Sequence, residues 1–159
     1  MTYLHKAAGL SEDRLYRYWL QRTLSTGTGT VLFIGLNPST ADAQADDPTI
    51  RKAVGFAARW GFQDVWMGNL HAFRATDPKV LPRARDAVGP MNREWLECLA
   101  NAATLVIAAW GATPLADYPK TLATWVIAQP TTRCLGQNQD GSPRHILYLP
   151  YTTPIREVR

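Results

Sequence analysis

Apolar and polar positions along the chain fall into two alternating patterns. Short continuous apolar runs bounded by turn residues are typical of strands buried on both faces. Between them, apolar residues recur every three or four positions, which is typical of helices with one buried side. The predicted strands are residues 30–36, 64–70, 105–110 and 132–135, and the predicted helices are residues 11–22, 47–60, 90–103 and 119–127.

The ends of two predicted helices carry recognisable signals. Asp47-Pro48 is a strong start, because aspartate caps the free N–H groups and proline fits the first helical position. Gly61 ends that helix. Ser11, followed by two acidic residues, is the predicted cap of the first helix. In the segment RLYRYWLQR of that helix, arginines and aromatic residues are interleaved. Such residues can bind nucleic acid, but the favoured interpretation is an amphipathic helix with a solvated side.

Strands that alternate with helices predict an α/β fold in which a parallel sheet is covered on both faces. We expect a single domain over residues 1–159 with three layers. Its sheet should have four parallel strands in the order 2-1-3-4, since each strand is followed by a helix or a long crossover.

Composition limits the classes of protein to which the chain can belong. The chain has 159 residues, 46% of them hydrophobic and 19% charged, and a net charge of +4 that suits a polyanionic partner without requiring one. No apolar run approaches the roughly 20 residues of a membrane span, and the N-terminus lacks a signal peptide's apolar core. Two distant cysteines fit a reducing cytosol, so we expect a cytoplasmic protein.

Motifs for common cofactors are missing from the sequence. It contains neither G-x-x-x-x-G-K-[ST] nor G-x-G-x-x-G, so neither a phosphate-binding loop nor a dinucleotide site is expected. Asp42, Asp46 and Asp47 are interpreted as helix capping and solvated residues, because their spacing fits no metal loop. We therefore expect no cofactor and no metal.

Each predicted strand ends in a polar or glycine-bearing segment. Open parallel sheets bind ligands beyond the carboxyl ends of their strands, so these segments should share one rim. These segments are residues 37–40, 69–74, 110–113 and 137–145. The candidate site residues within or directly beside them are Gly35, Leu36, Asn37, Pro38, Ser39, Asn69, Trp110, Gly111 and His145. A plain Asn-Pro turn is the structural alternative for the first segment.

The strand ends VLFIGLNPS, DVWMGNL and LVIAAWGA, together with SPRHILYLP, resemble the uracil-DNA glycosylase superfamily. Gly35-Leu36-Asn37-Pro38 is similar to its first motif, G-x-[DN]-P, in the asparagine form. The resemblance implies that Asn37 positions the attacking water and that His145 contacts the base carbonyl. It further implies that residues 35–39, Asn69 and Gly111 surround the substrate, that Phe73 or Trp110 stacks on the base, and that Arg74 and Arg144 hold phosphates.

The whole chain is also similar to a family of small bacterial and phage proteins known as domain of unknown function 1643. The shared segments are GLNPSTAD, DDPT, NLHAFRATDP, AAWG and PRHILYLP. This similarity covers most of the chain and carries no activity with it.

Together, these features predict a DNA glycosylase-like hydrolase that cleaves the N-glycosidic bond of a uracil-type or modified base. Because asparagine replaces the aspartate of the first motif, a labile or modified base is the expected substrate. The alternative is a non-catalytic module on the same fold that binds nucleic acid or a free nucleotide. The expected partner is DNA or a free nucleotide, and no membrane association is expected. We expect the protein to be a monomer.

Overall fold

A computed structural model describes residues 2–159 of the chain. Within these residues, six strands form one sheet, and three α-helices pack on its two faces. Two short 3₁₀ helices, Pro78–Arg83 and Ile146–Tyr148, lie in the connecting segments. The strands are β1 (Tyr3–Leu10), β2 (Arg17–Leu24), β3 (Thr30–Gly35), β4 (Asp64–Asn69), β5 (Leu105–Ala108) and β6 (Thr132–Cys134), and the helices are α1 (Pro48–Trp60), α2 (Asn92–Ala102) and α3 (Asp117–Ala128).

The strands lie in the order β1-β2-β4-β3-β5-β6. The last four are mutually parallel neighbours, and they correspond to the second, first, third and fourth predicted strands. The first two form an antiparallel hairpin, and β2 pairs antiparallel with β4. The fold is therefore mixed α/β, with a six-stranded sheet where four strands were predicted.

The predicted helix over residues 11–22 is wrong. Residues 11–16 form the turn of the hairpin, where the Ser11 hydroxyl donates to Asp13 Oδ1 (2.6 Å), and the rest belong to β2. Burial in β2 alternates with the period of a strand, so that Leu20, Arg22 and Leu24 lie on one buried face. Because Arg22 on this face is charged, the sequence of β2 does not show the regular alternation of apolar and polar residues that is typical of a strand.

Alternate side chains of β3 enter different core layers. Val31 and Phe33 pack with the residues of α1, whereas Leu32 and Ile34 pack with those of α2 and α3. A strand covered on both faces needs apolar residues at every position, which explains the continuous run.

Both predicted ends of α1 are confirmed. Asp47 caps the helix by accepting a hydrogen bond from Ile50 N (2.8 Å), and Gly61 ends it with a φ of 79°, a conformation that favours glycine. The helix predicted over residues 90–103 is α2, which begins at Asn92 and ends at Ala102. Leu96 and Leu99 of this helix are buried, whereas Met91, directly before it, is exposed.

Arg22 holds the loop that connects β3 to α1. Its guanidinium is fully buried, pairs with Asp46 (2.8 Å), and donates to the carbonyl oxygens of Asp42 (2.7 Å) and Ala45 (3.2 Å). The Tyr3 hydroxyl also donates to Asp46, and burial, together with this bond, raises the pKa of Tyr3 to about 12. The arginine expected on a solvated helix side is instead a buried anchor for the loop beside the strand ends.

Candidate functional site

A cleft of about 300 Å³ opens at the carboxyl ends of the parallel strands. This volume lies at the lower end of the range for small-molecule sites, roughly 300–1,000 Å³. Its lining comes from the ends of β3, β4 and β5, from the start of α1, from the start of β2 and from the segment that contains His145. Eight sequence-predicted residues line it: Gly35, Leu36, Asn37, Ser39, Asn69, Trp110, Gly111 and His145.

The Asn37 amide has a defined orientation. Its Nδ2 donates to the carbonyl oxygens of Ala75 (2.8 Å) and Pro38 (3.0 Å). A carbonyl oxygen only accepts hydrogen bonds, so the amide nitrogen must face these two groups. The Asn37 Oδ1 atom is consequently the acceptor that this half-buried residue retains for a ligand or a water.

The Asn69 amide is held in the opposite sense by Arg17. Arg17 Nη2 donates to Asn69 Oδ1 (3.1 Å), and a guanidinium has no acceptor, so the assignment is again forced. Asn69 Nδ2 lies over Gly35, where a Cβ atom on residue 35 would approach it to 2.8 Å. Gly35 pairs with Asn69 in the sheet, and its missing side chain makes room for this amide. Asn69 therefore offers a donor.

Arg17 is a buried cation at the floor of the cleft. It is 2% exposed, and its Nη1 donates to Ala41 O (2.9 Å). Burial lowers the pKa of Arg17 to about 10, an effect that the nearby Asp47 carboxylate partly opposes. Even so, the guanidinium stays charged at neutral pH. Because β2 runs antiparallel to β4, the first residue of β2 lies beside the last residue of β4.

Asp47 supplies a carboxylate to the cleft. One oxygen caps α1 through Ile50 N, and Oδ2 has no hydrogen-bond partner within residues 2–159. The residue is 8% exposed. The sequence identified Asp47 only as a cap, and its second role depends on where α1 begins relative to β3.

His145 is neutral at physiological pH. Burial lowers its pKa, and the Asp47 carboxylate opposes this only in part. His145 Nδ1 accepts a hydrogen bond from Leu147 N (3.3 Å), so the proton of the neutral ring sits on Nε2. Gly111, with a φ of 78°, donates its N–H to Pro143 O (2.9 Å) and thereby holds this segment against the end of β5.

Four sequence-predicted residues do not line the cleft. Pro38 is buried in the turn, and Phe73 packs edge-on against Tyr16 at 6.0 Å between ring centroids. Arg74 is half-buried and donates weakly to Arg14 O (3.4 Å), and Arg144 is exposed beside Gly136. Of the two residues expected to stack on a base, only Trp110 lines the cleft.

Two charged residues of the cleft lining, Arg17 and Asp47, were not predicted as site residues from the sequence. Arg17 was placed on a helix, and the alternation of β2 is the signal that would have corrected this. Asp47 could be found only through its position in space. Within residues 2–159, no group of three or more His, Cys, Asp or Glu side chains is arranged to hold a metal ion. No helix in the same range is both long and apolar enough to cross a membrane.

The fold and the cleft define a mixed α/β protein with a small polar site at the carboxyl edge of its parallel strands. Residues 17–147 match the family described as Protein of unknown function (DUF1643), and the chain belongs to that family. No curated protein and no solved structure matches the chain. None of these comparisons links it to the uracil-DNA glycosylase superfamily.

Proposed function

We propose that this protein is a DNA glycosylase-like hydrolase that cleaves the N-glycosidic bond of a uracil-type or modified base. One observation carries the proposal. One cleft of about 300 Å³ is lined by the residue that carries the Asn37 acceptor and by the residues that carry two donors, Asn69 Nδ2 and His145 Nε2.

Hydrolysis needs a positioned water on one side of the sugar. In this proposal Asn37 Oδ1 accepts a hydrogen bond from that water, and the water oxygen bonds to C1′ while the C1′–N bond breaks. The electron pair of the broken bond leaves with the base. Asp47 takes the proton of the water, and its carboxylate also stabilises the positive charge that develops on the sugar.

The departing base carries the negative charge, so donors should face it. His145 Nε2 donates to a base oxygen, and Asn69 Nδ2 reads an acceptor on the base edge. Both donors are neutral groups, and the buried Arg17 behind Asn69 adds a favourable positive potential.

Contacts to DNA phosphates belong outside the cleft, because only the flipped base enters such a pocket. Arg144 is exposed, and the chain carries a net charge of +4. These features support a polyanionic partner, to which arginines contribute through phosphate contacts.

The experiment is single-turnover base release from duplex and single-stranded oligonucleotides that carry uracil, mismatched thymine or 5-hydroxymethyluracil. Alkaline cleavage then reveals abasic sites. Asn37→Ala should lower the rate by roughly 10²-fold, the usual loss of one positioning contact. Asn101→Ala, an exposed change at the end of α2, is the matched control. Equal rates for wild type and Asn37→Ala would mean that residues 35–38 form only a turn.

A non-catalytic module that binds nucleic acid or a free nucleotide is the second candidate. The observation that favours it is the pair of bonds from Asn37 Nδ2 to Ala75 and Pro38, since these bonds brace the turn whether or not a reaction follows. Saturable binding of the same oligonucleotides with no abasic product from any of them would decide for this candidate.

A further inference from the structure

A second cavity of about 350 Å³ adjoins the cleft. We call it the annex. It lies between the segments 78–88 and 113–119, and Leu36, Pro78 and Thr113 line both the annex and the cleft. The annex and the cleft are therefore neighbours that share part of their lining.

The annex is mainly apolar. Leucine, valine and proline side chains form most of its walls, and Tyr118 also lines it. An unsubstituted pyrimidine in the cleft would leave this surface in contact with water. Burying apolar surface is favourable, so even a three-carbon substituent gains affinity by entering the annex.

Polar side chains interrupt the apolar walls: the hydroxyl-bearing Thr113 and Tyr118, and the acceptors His71 and Asp86. His71 is buried, and its Nδ1 lies 3.3 Å from Leu36 O. Because a carbonyl oxygen cannot donate, the ring proton sits on Nδ1, and Nε2 carries the lone pair. Burial lowers the pKa of His71, which keeps the ring neutral at physiological pH.

Asp86 is the other acceptor. Its Oδ1 accepts a hydrogen bond from Gly89 N (2.8 Å), and Oδ2 has no partner within residues 2–159. The annex thus combines an apolar lining with hydrogen-bond acceptors, and the Asp86 carboxylate gives it one negative charge. Its chemistry is complementary to a short aliphatic chain that ends in a donor.

We propose that the annex binds a substituent of the substrate base, an aliphatic arm of a few carbons that ends in an amine or a hydroxyl. This inference rests on the proposed function, since it assumes that a base occupies the cleft. It names the substrate class as a pyrimidine with such an arm at C5, the ring position that base pairing leaves free.

The test uses 2′-deoxyuridine and its C5-propyl, C5-(3-hydroxypropyl) and C5-(3-aminopropyl) derivatives. Calorimetric titration measures their binding as nucleosides, and single-turnover assays measure their release from oligonucleotides. We expect the two donor-bearing arms to bind about tenfold more tightly than unsubstituted deoxyuridine, with the propyl arm between them.

Two pairs of measurements locate the effect. Ala116→Phe places a large ring at the annex wall and should remove the tenfold gain without weakening deoxyuridine, whereas Ala128→Phe, at the other end of α3, should change nothing. Asp86→Asn keeps the acceptor for Gly89 N, removes the charge and puts an amide NH₂ group in place of Oδ2. It should weaken the aminopropyl derivative about tenfold and the hydroxypropyl derivative less, because a hydroxyl can also accept a hydrogen bond from the amide.

The outcomes are separable. Equal binding of all four nucleosides, no binding of any of them, or an equal loss for deoxyuridine and the armed derivatives in Ala116→Phe would overturn the inference. A propyl arm that binds as tightly as the aminopropyl arm would overturn the role of the acceptors. If no oligonucleotide releases a base but the calorimetric preference holds, the proposed hydrolysis fails and the annex assignment stands.

Discussion

Gly35→Ala tests whether the glycine at the end of β3 provides the space that the Asn69 amide occupies. The backbone of Gly35 is not in the left-handed region, so alanine fits the local conformation. Space is the obstacle, because the new Cβ would lie 2.8 Å from Asn69 Nδ2. The amide must therefore move, and its 3.1 Å bond from Arg17 must weaken.

The expected cost follows from that bond. A hydrogen bond to a charged group contributes about 1.5–3 kcal/mol. Arg17 is buried, and its Nη2 has no second partner among residues 2–159. Replacing glycine by alanine also stabilises the protein by about 0.4–1 kcal/mol, because it reduces the conformational entropy of the unfolded chain. A net loss of about 1–2 kcal/mol should lower Tm by roughly 2–8 °C in a chain of this size.

The assay is a double-mutant cycle by thermal melting and by titration with deoxyuridine. If Gly35→Ala acts through Asn69, it should destabilise the wild-type protein but have little effect in an Asn69→Ala background. It should also weaken deoxyuridine binding on the order of tenfold. Additive losses of stability in the double variant would refute the reasoning, because the clash would then involve some other group.

Three further predictions concern charged residues. Burial lowers the pKa of both His71 and His145, so the unfolded state binds more protons near pH 6, and Tm should rise with pH up to about 6.5, where an unperturbed histidine titrates. Asp47→Asn should keep the α1 cap but slow base release, whereas Asp47→Ala should in addition lose the cap, at a cost of about 1 kcal/mol of stability. Arg22→Met should cost about 3 kcal/mol in urea unfolding, because it leaves Asp46 and three carbonyl groups without their buried partner.

Each of these has a result that would contradict it. A Tm that stays level or falls as the pH rises from 5 to 6.5 would mean that protonation of these histidines does not destabilise the folded state. Full activity in Asp47→Asn would remove its carboxylate from the proposed reaction. A loss in Arg22→Met no greater than in Arg93→Met, which breaks an exposed pair within α2, would show that the Arg22 network adds little.

The sequence by itself determined the parallel part of the sheet. Strands β3 to β6 and the helices between them follow from local patterns, because a strand covered on both faces must be apolar throughout. The same rule located the strand ends, and eight of the predicted residues do line one cleft. These features depend on residues close together in the chain, which is why a single sequence reveals them.

Only the tertiary structure decided the hairpin and the chemistry of the cleft. Arg22 is acceptable on a buried strand face because Asp46 and distant carbonyl groups surround it, and no local pattern announces those partners. Likewise, an isolated asparagine amide can donate or accept. Arg17 makes Asn69 a donor, and the Ala75 carbonyl makes Asn37 an acceptor. Such polarity is set by groups far away in sequence, since a hydrogen bond requires a partner in space and not a neighbour in the chain.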